Sequence, residues 1–175
     1  MNEGRKTILF ERLHESVELP ARATASSAGY DLKAYLLGNP IVKLSLGGRQ
    51  YEGTPRTDPD GDGVVLELLP GERAIVPLGF RATLPVGYEA QIRPRSGTSF
   101  KTSLVIANAP GTIDPDYNGE WSVLVKNDGG EAVVISHGER IAQMVIARYE
   151  VLEFEEGEVR RTTNRDGGFG STGHR

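Results

Sequence analysis

Apolar residues alternate with polar ones, or form short continuous runs, along most of this chain, and turn residues separate the runs. Such patterns predict β-strands, because a half-buried strand alternates apolar and polar side chains. Glycine, proline and asparagine mark the turns, as at Pro70-Gly71 and Asn118-Gly119. The predicted strands are Thr7–Leu13, Val64–Leu69, Ala74–Pro77, Glu89–Arg93, Trp121–Lys126, Ala132–Ser136 and Ile141–Val151.

Helical patterns are scarce by comparison. Only Ser96–Ser103 favours a helix, and it is a turn or two long. Because no long helix alternates with the strands, a doubly wound parallel sheet is disfavoured. The chain contains 22 glycines and 10 prolines among 175 residues, which suits many short strands joined by turns. We therefore predict an all-β, jelly-roll-like barrel with at most one short helix.

Composition and charge narrow the function. Hydrophobic residues make up 38% and charged residues 25%, enough for a folded core. The net charge of −4 gives no overall basic field for wrapping duplex nucleic acid. The absence of cysteine excludes disulfides and thiolate metal sites, and three histidines leave few ligands for zinc. Since no apolar run could span a membrane and Met1–Glu15 is charged rather than signal-like, we expect a cytoplasmic protein.

The chain divides into a barrel and a tail. We assign residues 1–156 to the β-barrel and read residues 38–63, which are polar and rich in glycine, as an inserted loop or hairpin. Residues 157–175 contain few core-forming side chains and end in a glycine-rich stretch around Phe169. Such a tail cannot pack a core by itself, so we expect a flexible C-terminal arm that orders over a ligand or a neighbour.

Chemistry concentrates in five segments that combine glycine with polar side chains. Each segment alone has a plain structural interpretation, such as a turn or a strand-end cap. The segments are Ala28-Gly-Tyr-Asp31-Leu, Pro94-Arg95-Ser96-Gly97, Gly111-Thr-Ile-Asp114-Pro-Asp116-Tyr117-Asn-Gly119, Gly138-Glu-Arg140-Ile-Ala-Gln143 and Gly167-Gly-Phe169-Gly-Ser171-Thr172-Gly173.

Taken together, in this order and spacing, the five segments resemble the motifs of the deoxyuridine triphosphatase (dUTPase) family, from about Thr24 to Gly173. The resemblance implies hydrolysis of dUTP to dUMP and pyrophosphate by water attack on the α-phosphorus, which limits uracil in DNA and supplies dUMP for dTMP synthesis. It makes Asp114 the general base that accepts the proton of the water. It makes Asp31 the carboxylate that steers Mg²⁺ through a coordinated water.

The resemblance also implies the binding residues for each part of the nucleotide. Donors to the triphosphate are expected from Arg95, Ser96, Gly97 and Gln143, with Arg140 as a supporting partner. Uracil is expected to pair with Asn108 and with main-chain groups of a hairpin that includes Gly111, Thr112 and Ile113, while Tyr117 packs beneath the deoxyribose. In the tail, Phe169 is expected to stack on uracil, and Gly170, Ser171 and Thr172 to cap the β- and γ-phosphates.

A further implication is a homotrimer whose active sites are shared between the chains, with the tail acting as a lid.

Two positions of this chain depart from the family pattern. The tail arginine of the family corresponds to Asn164, so either Arg165, one residue later, or Arg161 replaces it at the γ-phosphate, or the contact is absent. After Gly97 the family usually has small aliphatic residues, whereas this chain has Thr98-Ser99-Phe100.

Two other functions stay open at this point. A dCTP deaminase shares the fold but needs a catalytic glutamate beside the pyrimidine, for which Glu120 is the nearest candidate. A non-enzymatic binding module of the same fold would be expected to have lost the base or the tail, and both Asp114 and the tail motif are present.

Overall fold

The computed structural model describes residues 6–61, 63–160 and 163. These residues form fourteen strands and one short helix, which confirms the predicted all-β fold with at most one short helix. The elements in chain order are β1 Leu9–Arg12, β2 Tyr30–Lys33, β3 Val42–Leu46, β4 Arg49–Gly53, β5 Arg56–Thr57, β6 Val64–Leu68, β7 Arg73–Pro77, β8 Phe80–Thr83, β9 Tyr88–Arg93, α1 Ser96–Lys101, β10 Leu104–Ile106, β11 Gly111–Ile113, β12 Ser122–Asn127, β13 Val133–Ser136 and β14 Arg140–Arg148.

The strands pair antiparallel in four sheets. The two larger sheets have the strand orders β10-β12-β7-β3-β4 and β11-β9-β14-β2, and the two smaller sheets pair β1 with β8 and β13-β6-β5. Neighbours in these sheets are often distant in sequence, as for β2 and β14. Long-range pairing therefore brings the motif that contains Asp31 and the motif that contains Gln143 onto one sheet.

One hydrophobic core lies between the sheets. Alternation along β12 directs Val123 and Val125 inward, and fully buried aliphatic side chains of this size each contribute about 1.5–3 kcal/mol relative to exposure. Trp121 is also fully buried, and its indole N–H donates to the carbonyl of Ala82 at 3.2 Å. The buried Asn127 is satisfied through bonds such as the one from Nδ2 to the carbonyl of Leu68, at 3.0 Å.

The segment 38–63 contains a β-hairpin formed by β3 and β4. Its turn holds Gly47 and Gly48 at φ values of 58° and 84°, which glycine adopts without steric cost and which two-residue hairpin turns require. Strand β3 also pairs with β7 and buries Val42 and Leu44 in the core. Strand β3 thus belongs to the barrel, β4 is the edge strand of the same five-stranded sheet, and β5 pairs with β6 in the three-stranded sheet.

The strand at the C-terminal end is shorter than predicted. β14 ends at Arg148 instead of Val151, and residues 149–160 form no strand. The apolar side chains of Val151, Leu152, Phe154 and Val159 are exposed here, because no other part of the described chain covers them. Among the described residues, no helix is long and apolar enough to cross a membrane.

Candidate active site

The predicted site residues within the described part of the chain fall into two groups. The arginine cluster consists of Asp31, Arg95, Ser96, Gly97 and Gln143, and it lines a cavity of about 440 Å³. The loop cluster lines a second cavity of about 250 Å³. It consists of Asn108, Thr112, Ile113, Asp114 and Tyr117, with Gly111 beside them on β11. No residue lines both cavities, so the described chain does not bring the two clusters into one cavity.

The arginine cluster is assembled where two strands meet the short helix. Asp31 on β2 lies directly opposite Gln143 on β14, so both side chains project from the same face of the sheet. Arg95 is the residue before α1, and Ser96 and Gly97 begin the helix. The amide of Ser99 closes the first turn on the carbonyl of Arg95 at 2.9 Å. The main chain therefore fixes the donors of Arg95, Ser96 and Gly97 next to Asp31.

The carboxylate of Asp31 forms ion pairs with two arginines. Its Oδ1 accepts from Arg95 Nε at 2.8 Å, and its Oδ2 accepts from Arg140 Nη1 at 3.2 Å. The Asp31 and Arg95 side chains are only 19% and 24% exposed, so this pair is less screened by solvent than a surface ion pair. Arg95 Nη1 also donates to the carbonyl of Arg140, at 3.3 Å. These bonds orient the guanidinium of Arg95 and leave its remaining N–H groups available to an anion.

A hydrogen bond to Pro94 and a close approach to Gly29 fix the position of the Gln143 side chain. Its Nε2 donates to the carbonyl of Pro94 at 2.8 Å. A Cβ atom added at Gly29 would lie 2.2 Å from Gln143 Oε1, a distance at which the glutamine would have to move. Gly29 stands in the same short motif as Asp31, but no role of its own was predicted for it. The structure makes it the residue that leaves room for Gln143.

The segment around Asn108 is not the paired hairpin that we predicted. β10 pairs with β12 in the five-stranded sheet, and β11 pairs with β9 in the four-stranded sheet. The chain crosses between the two sheets because each strand uses its backbone groups on a different neighbour. Asn108 lies in this crossing with its side-chain amide over Gly111, whose added Cβ would lie 3.0 Å from Asn108 Nδ2.

Asp114 directly follows β11 and is exposed. Its main-chain carbonyl accepts the N–H of Tyr117 at 3.2 Å, which turns the chain sharply. Within the described part of the chain, its carboxylate has no hydrogen bond or ion pair. Tyr117 donates its hydroxyl hydrogen to the carbonyl of Glu120 at 3.1 Å, and the residue is 46% exposed. Asp114 and Tyr117 therefore line the same cavity. There Asp114 offers a carboxylate that has no partner among the described residues, and Tyr117 offers an exposed aromatic ring.

Other candidates have structural partners or lie elsewhere. The carboxylate of Glu120, the residue considered for a deaminase, accepts the N–H of Gly79 at 2.9 Å. His137 Nδ1 accepts the N–H of Leu36 at 3.2 Å, and burial lowers the pKa of His137, which favours a neutral structural imidazole. The tail residues predicted to bind substrate lie outside the described residues; they are Arg165, Phe169, Gly170, Ser171 and Thr172.

Comparison with known proteins identifies the family of the chain. The dUTPase family model matches residues 64–173. Proteins named deoxyuridine 5'-triphosphate nucleotidohydrolase from Rhizobium johnstonii and Rhizobium etli are 44% and 43% identical to this chain. The first alignment covers 91% of this chain and 87% of the relative, and the second covers 98% and 97%.

Solved structures give the same fold. A variant of the dUTPase of Staphylococcus bacteriophage 80alpha, solved with dUpNHpp, superposes with a TM-score of 0.72 over 95% of this chain and 98% of its own, at 24% identity. A dUTPase from phage phi11 of S. aureus, described with a structural Mg(II) ion, gives a TM-score of 0.66 at 23% identity, over 89% and 99% of the two chains. These likenesses confirm the predicted jelly-roll-like β-barrel. The sequence relatives and the family model together show that the chain belongs to the dUTPase family.

Proposed function

We propose that this protein hydrolyses dUTP to dUMP and pyrophosphate by attack of water on the α-phosphorus. The proposal depends chiefly on one observation: an exposed carboxylate, Asp114, is without a partner among the described residues, on a chain 43–44% identical to named dUTP nucleotidohydrolases. In this role Asp114 orients the attacking water and accepts its proton. The reaction would lower dUTP available for incorporation into DNA and supply dUMP for dTMP synthesis.

The arginine cluster is proposed to hold the triphosphate. Arg95 has N–H groups that Asp31 does not use, and a guanidinium matches the oxygens of a phosphate with its forked donors. The hydroxyl of Ser96 and the amide of Gly97 line the same cavity. Gln143 would donate to the α-phosphate, where negative charge grows in the transition state and where fixed donors have their largest effect.

The loop cluster is proposed to select the base and the sugar. Main-chain groups of Gly111, Thr112 and Ile113, with the amide of Asn108, would pair with the uracil edge. A close main-chain pocket leaves no space for the methyl group of thymine, and unmatched donors disfavour cytosine. The exposed ring of Tyr117 would pack beneath the deoxyribose, where a 2′-hydroxyl would collide with it.

We further propose that the protein is a homotrimer with shared active sites. The two clusters line different cavities of the described chain, whereas hydrolysis requires a base and phosphate donors around one nucleotide. A second copy that presents its arginine cluster to Asp114 would complete the site. The exposed apolar residues of 149–160 suit a segment that leaves its own barrel for a neighbour. The arm of residues 157–175, which begins within this segment, would close over the site.

Within that arm, Phe169 would stack on uracil, and Gly170, Ser171 and Thr172 would cap the terminal phosphates. Arg165 would approach the γ-phosphate in place of the arginine that the family has at the position of Asn164. Cytoplasmic location stays a prediction of the sequence.

The residues present fit a magnesium ion that is bound mainly by substrate. No group of three or more potential side-chain ligands occurs among the described residues, so this part of the chain has no protein cage for a metal. The Asp31 carboxylate keeps unused lone pairs beside its two arginine bonds and could accept a water coordinated to Mg²⁺. When bound, the ion would supply positive charge that neutralises the phosphate oxygens. The residue that would hold it is Asp31.

Pyrophosphate release from dUTP, dTTP, dCTP and UTP, measured separately with Mg²⁺ present, tests this function. We expect dUTP to exceed each competitor in kcat/KM by at least ~10²-fold, because the others lack a matching base edge or sugar. Hydrolysis in ¹⁸O-labelled water should place the label in dUMP and none in pyrophosphate. Equal rates on the four nucleotides, label in pyrophosphate, or ammonia from dCTP would contradict the proposal.

The contact between Gly29 and Gln143 gives a second prediction. Gly29→Ala is expected to displace the Gln143 amide and lower kcat about tenfold, the loss of one hydrogen bond of ordinary strength. Gln143→Ala should cost about the same, and the double variant should be no worse than either single variant, because the added methyl group then meets only the Cβ at position 143, at an ordinary contact distance of 3.5 Å. Additive losses in kcat, measured at saturating dUTP, would show that Gly29 acts independently of Gln143.

A further inference from the structure

The four-stranded sheet carries three polar side chains in one row across its strands. Asp31 on β2 lies opposite Gln143 on β14, and Gln143 lies opposite Arg93 on β9. Side chains directly opposite each other on antiparallel strands project from the same face. Arg93 therefore stands next to Gln143, on the side away from Asp31.

Arg93 is also located where two cavities adjoin. It lines the cavity of the arginine cluster and a neighbouring open cavity of about 620 Å³. Ser96 and Gln143 line both cavities as well, and the second one reaches Ala109 and Pro110 in the segment next to Asn108. Arg93 thus lies between the phosphate donors and the crossing that carries the residues proposed to bind uracil.

The charge of Arg93 is not neutralised within the described part of the chain. Arg95 and Arg140 share the carboxylate of Asp31, but no ion pair of the described residues includes Arg93. Its Nη2 donates to the neutral amide oxygen of Gln91, which leaves its other N–H groups unused. An exposed guanidinium without a carboxylate partner, in a cavity lined by other donors, attracts an anion.

We propose that Arg93 is a further substrate-binding residue that contacts the α-phosphate group. This inference rests on the proposed function, in which Gln143 meets the α-phosphate and Asp31 faces the metal-associated end of the triphosphate. Arg93 lies beyond Gln143 in the row, so it approaches the α-phosphate from the side opposite Asp31. There its positive charge stabilises the negative charge that grows on the α-phosphoryl oxygens during attack by water.

Calorimetric titration of the full-length chain with dUMP and, separately, with pyrophosphate tests the assignment. Arg93→Gln is expected to weaken dUMP binding about tenfold, the lower range for a bond to a charged group, because the site is open to solvent. Pyrophosphate binding should stay nearly unchanged, and kcat for dUTP should fall at least about tenfold. Arg93→Lys should recover part of both losses. Arg81→Gln, which removes an exposed arginine that pairs with Glu11, is the matched control and should behave as wild type.

Three results would overturn the assignment. Unchanged dUMP affinity and kcat in Arg93→Gln would exclude a contact with substrate. If Arg93→Gln weakened the binding of dUMP and of pyrophosphate equally, Arg93 would not contact the α-phosphate specifically. A smaller assembly in analytical ultracentrifugation, with unchanged dUMP affinity, would mean that Arg93 pairs with a carboxylate of a second copy. If the wild-type chain neither binds dUMP nor hydrolyses dUTP, the proposed function itself fails, which separates that failure from failure of the Arg93 assignment.

Discussion

Replacing Asp114 with asparagine is expected to lower kcat for dUTP hydrolysis at least ~10²-fold, the lower end of the range for general-base catalysis. The amide keeps the size of the carboxylate and can still hold a water molecule, but it cannot accept the proton. Because the Asp114 side chain is exposed and has no partner among the described residues, its replacement should leave the fold and the binding of dUTP nearly intact. Single-turnover hydrolysis and the Kd of a non-hydrolysable dUTP analogue measure the two effects separately.

The matched control for this variant is Asp116→Asn. Asp116 is an exposed acidic residue of the same loop, and it contributes its main-chain carbonyl to Asn118 at 2.9 Å. Its substitution changes the local charge by the same amount without removing the proposed base. Turnover by Asp114→Asn equal to that of Asp116→Asn would refute the role given to Asp114.

Replacing Arg95 with alanine is expected to lower kcat/KM for dUTP about 10²–10³-fold, as the loss of a fixed donor to developing charge does in other enzymes. The substitution removes the forked phosphate donors and also leaves Asp31 with Arg140 as its one arginine partner among the described residues. Arg95→Lys keeps the charge but not the fork, so it should recover only part of the loss. Steady-state kinetics, together with thermal unfolding of each variant, distinguish lost phosphate binding from lost folding.

A loss below about tenfold in Arg95→Ala would contradict this account, since a donor in direct contact with the reacting phosphate contributes more than that. Arg81→Ala again serves as the control, because Arg81 contacts Glu11 at 3.8 Å on a different sheet. Its kcat/KM should equal that of the wild type.

The sequence was sufficient to predict the longer strands of the barrel. The sequence of β12 is an apolar run, Val123 to Val125, bounded by Ser122 and Lys126, and such a short run between polar residues predicts a strand without any knowledge of its neighbours. β2, β10 and β11 were not predicted, because each has only three or four residues and no measurable period. These short strands carry or flank the candidate site, where pairing with distant partners rather than local propensity determines the structure.

Contacts within the site depend on register that a single sequence does not contain. The motifs indicated that Asp31, Arg95 and Arg140 belong to one site, but their ion pairs depend on the alignment of β2 with β14. The need for glycine at position 29 likewise arises from a long-range contact, between the residue before β2 and Gln143 on β14. The hairpin at Asn108 was an implication of the family resemblance, and the sequence itself does not show whether the flanking strands pair with each other or with other partners.

The most direct test of the account is complementation between the Asp114→Asn and Arg95→Ala chains, unfolded, mixed in equal amounts and refolded together. If every site takes its base from one copy and its phosphate donors from another, random assembly gives about a quarter of the wild-type kcat, since that fraction of sites receives both intact residues. Activity no greater than that of the two variants refolded separately, although mixed oligomers have formed, would show that base and phosphate donors act within one chain.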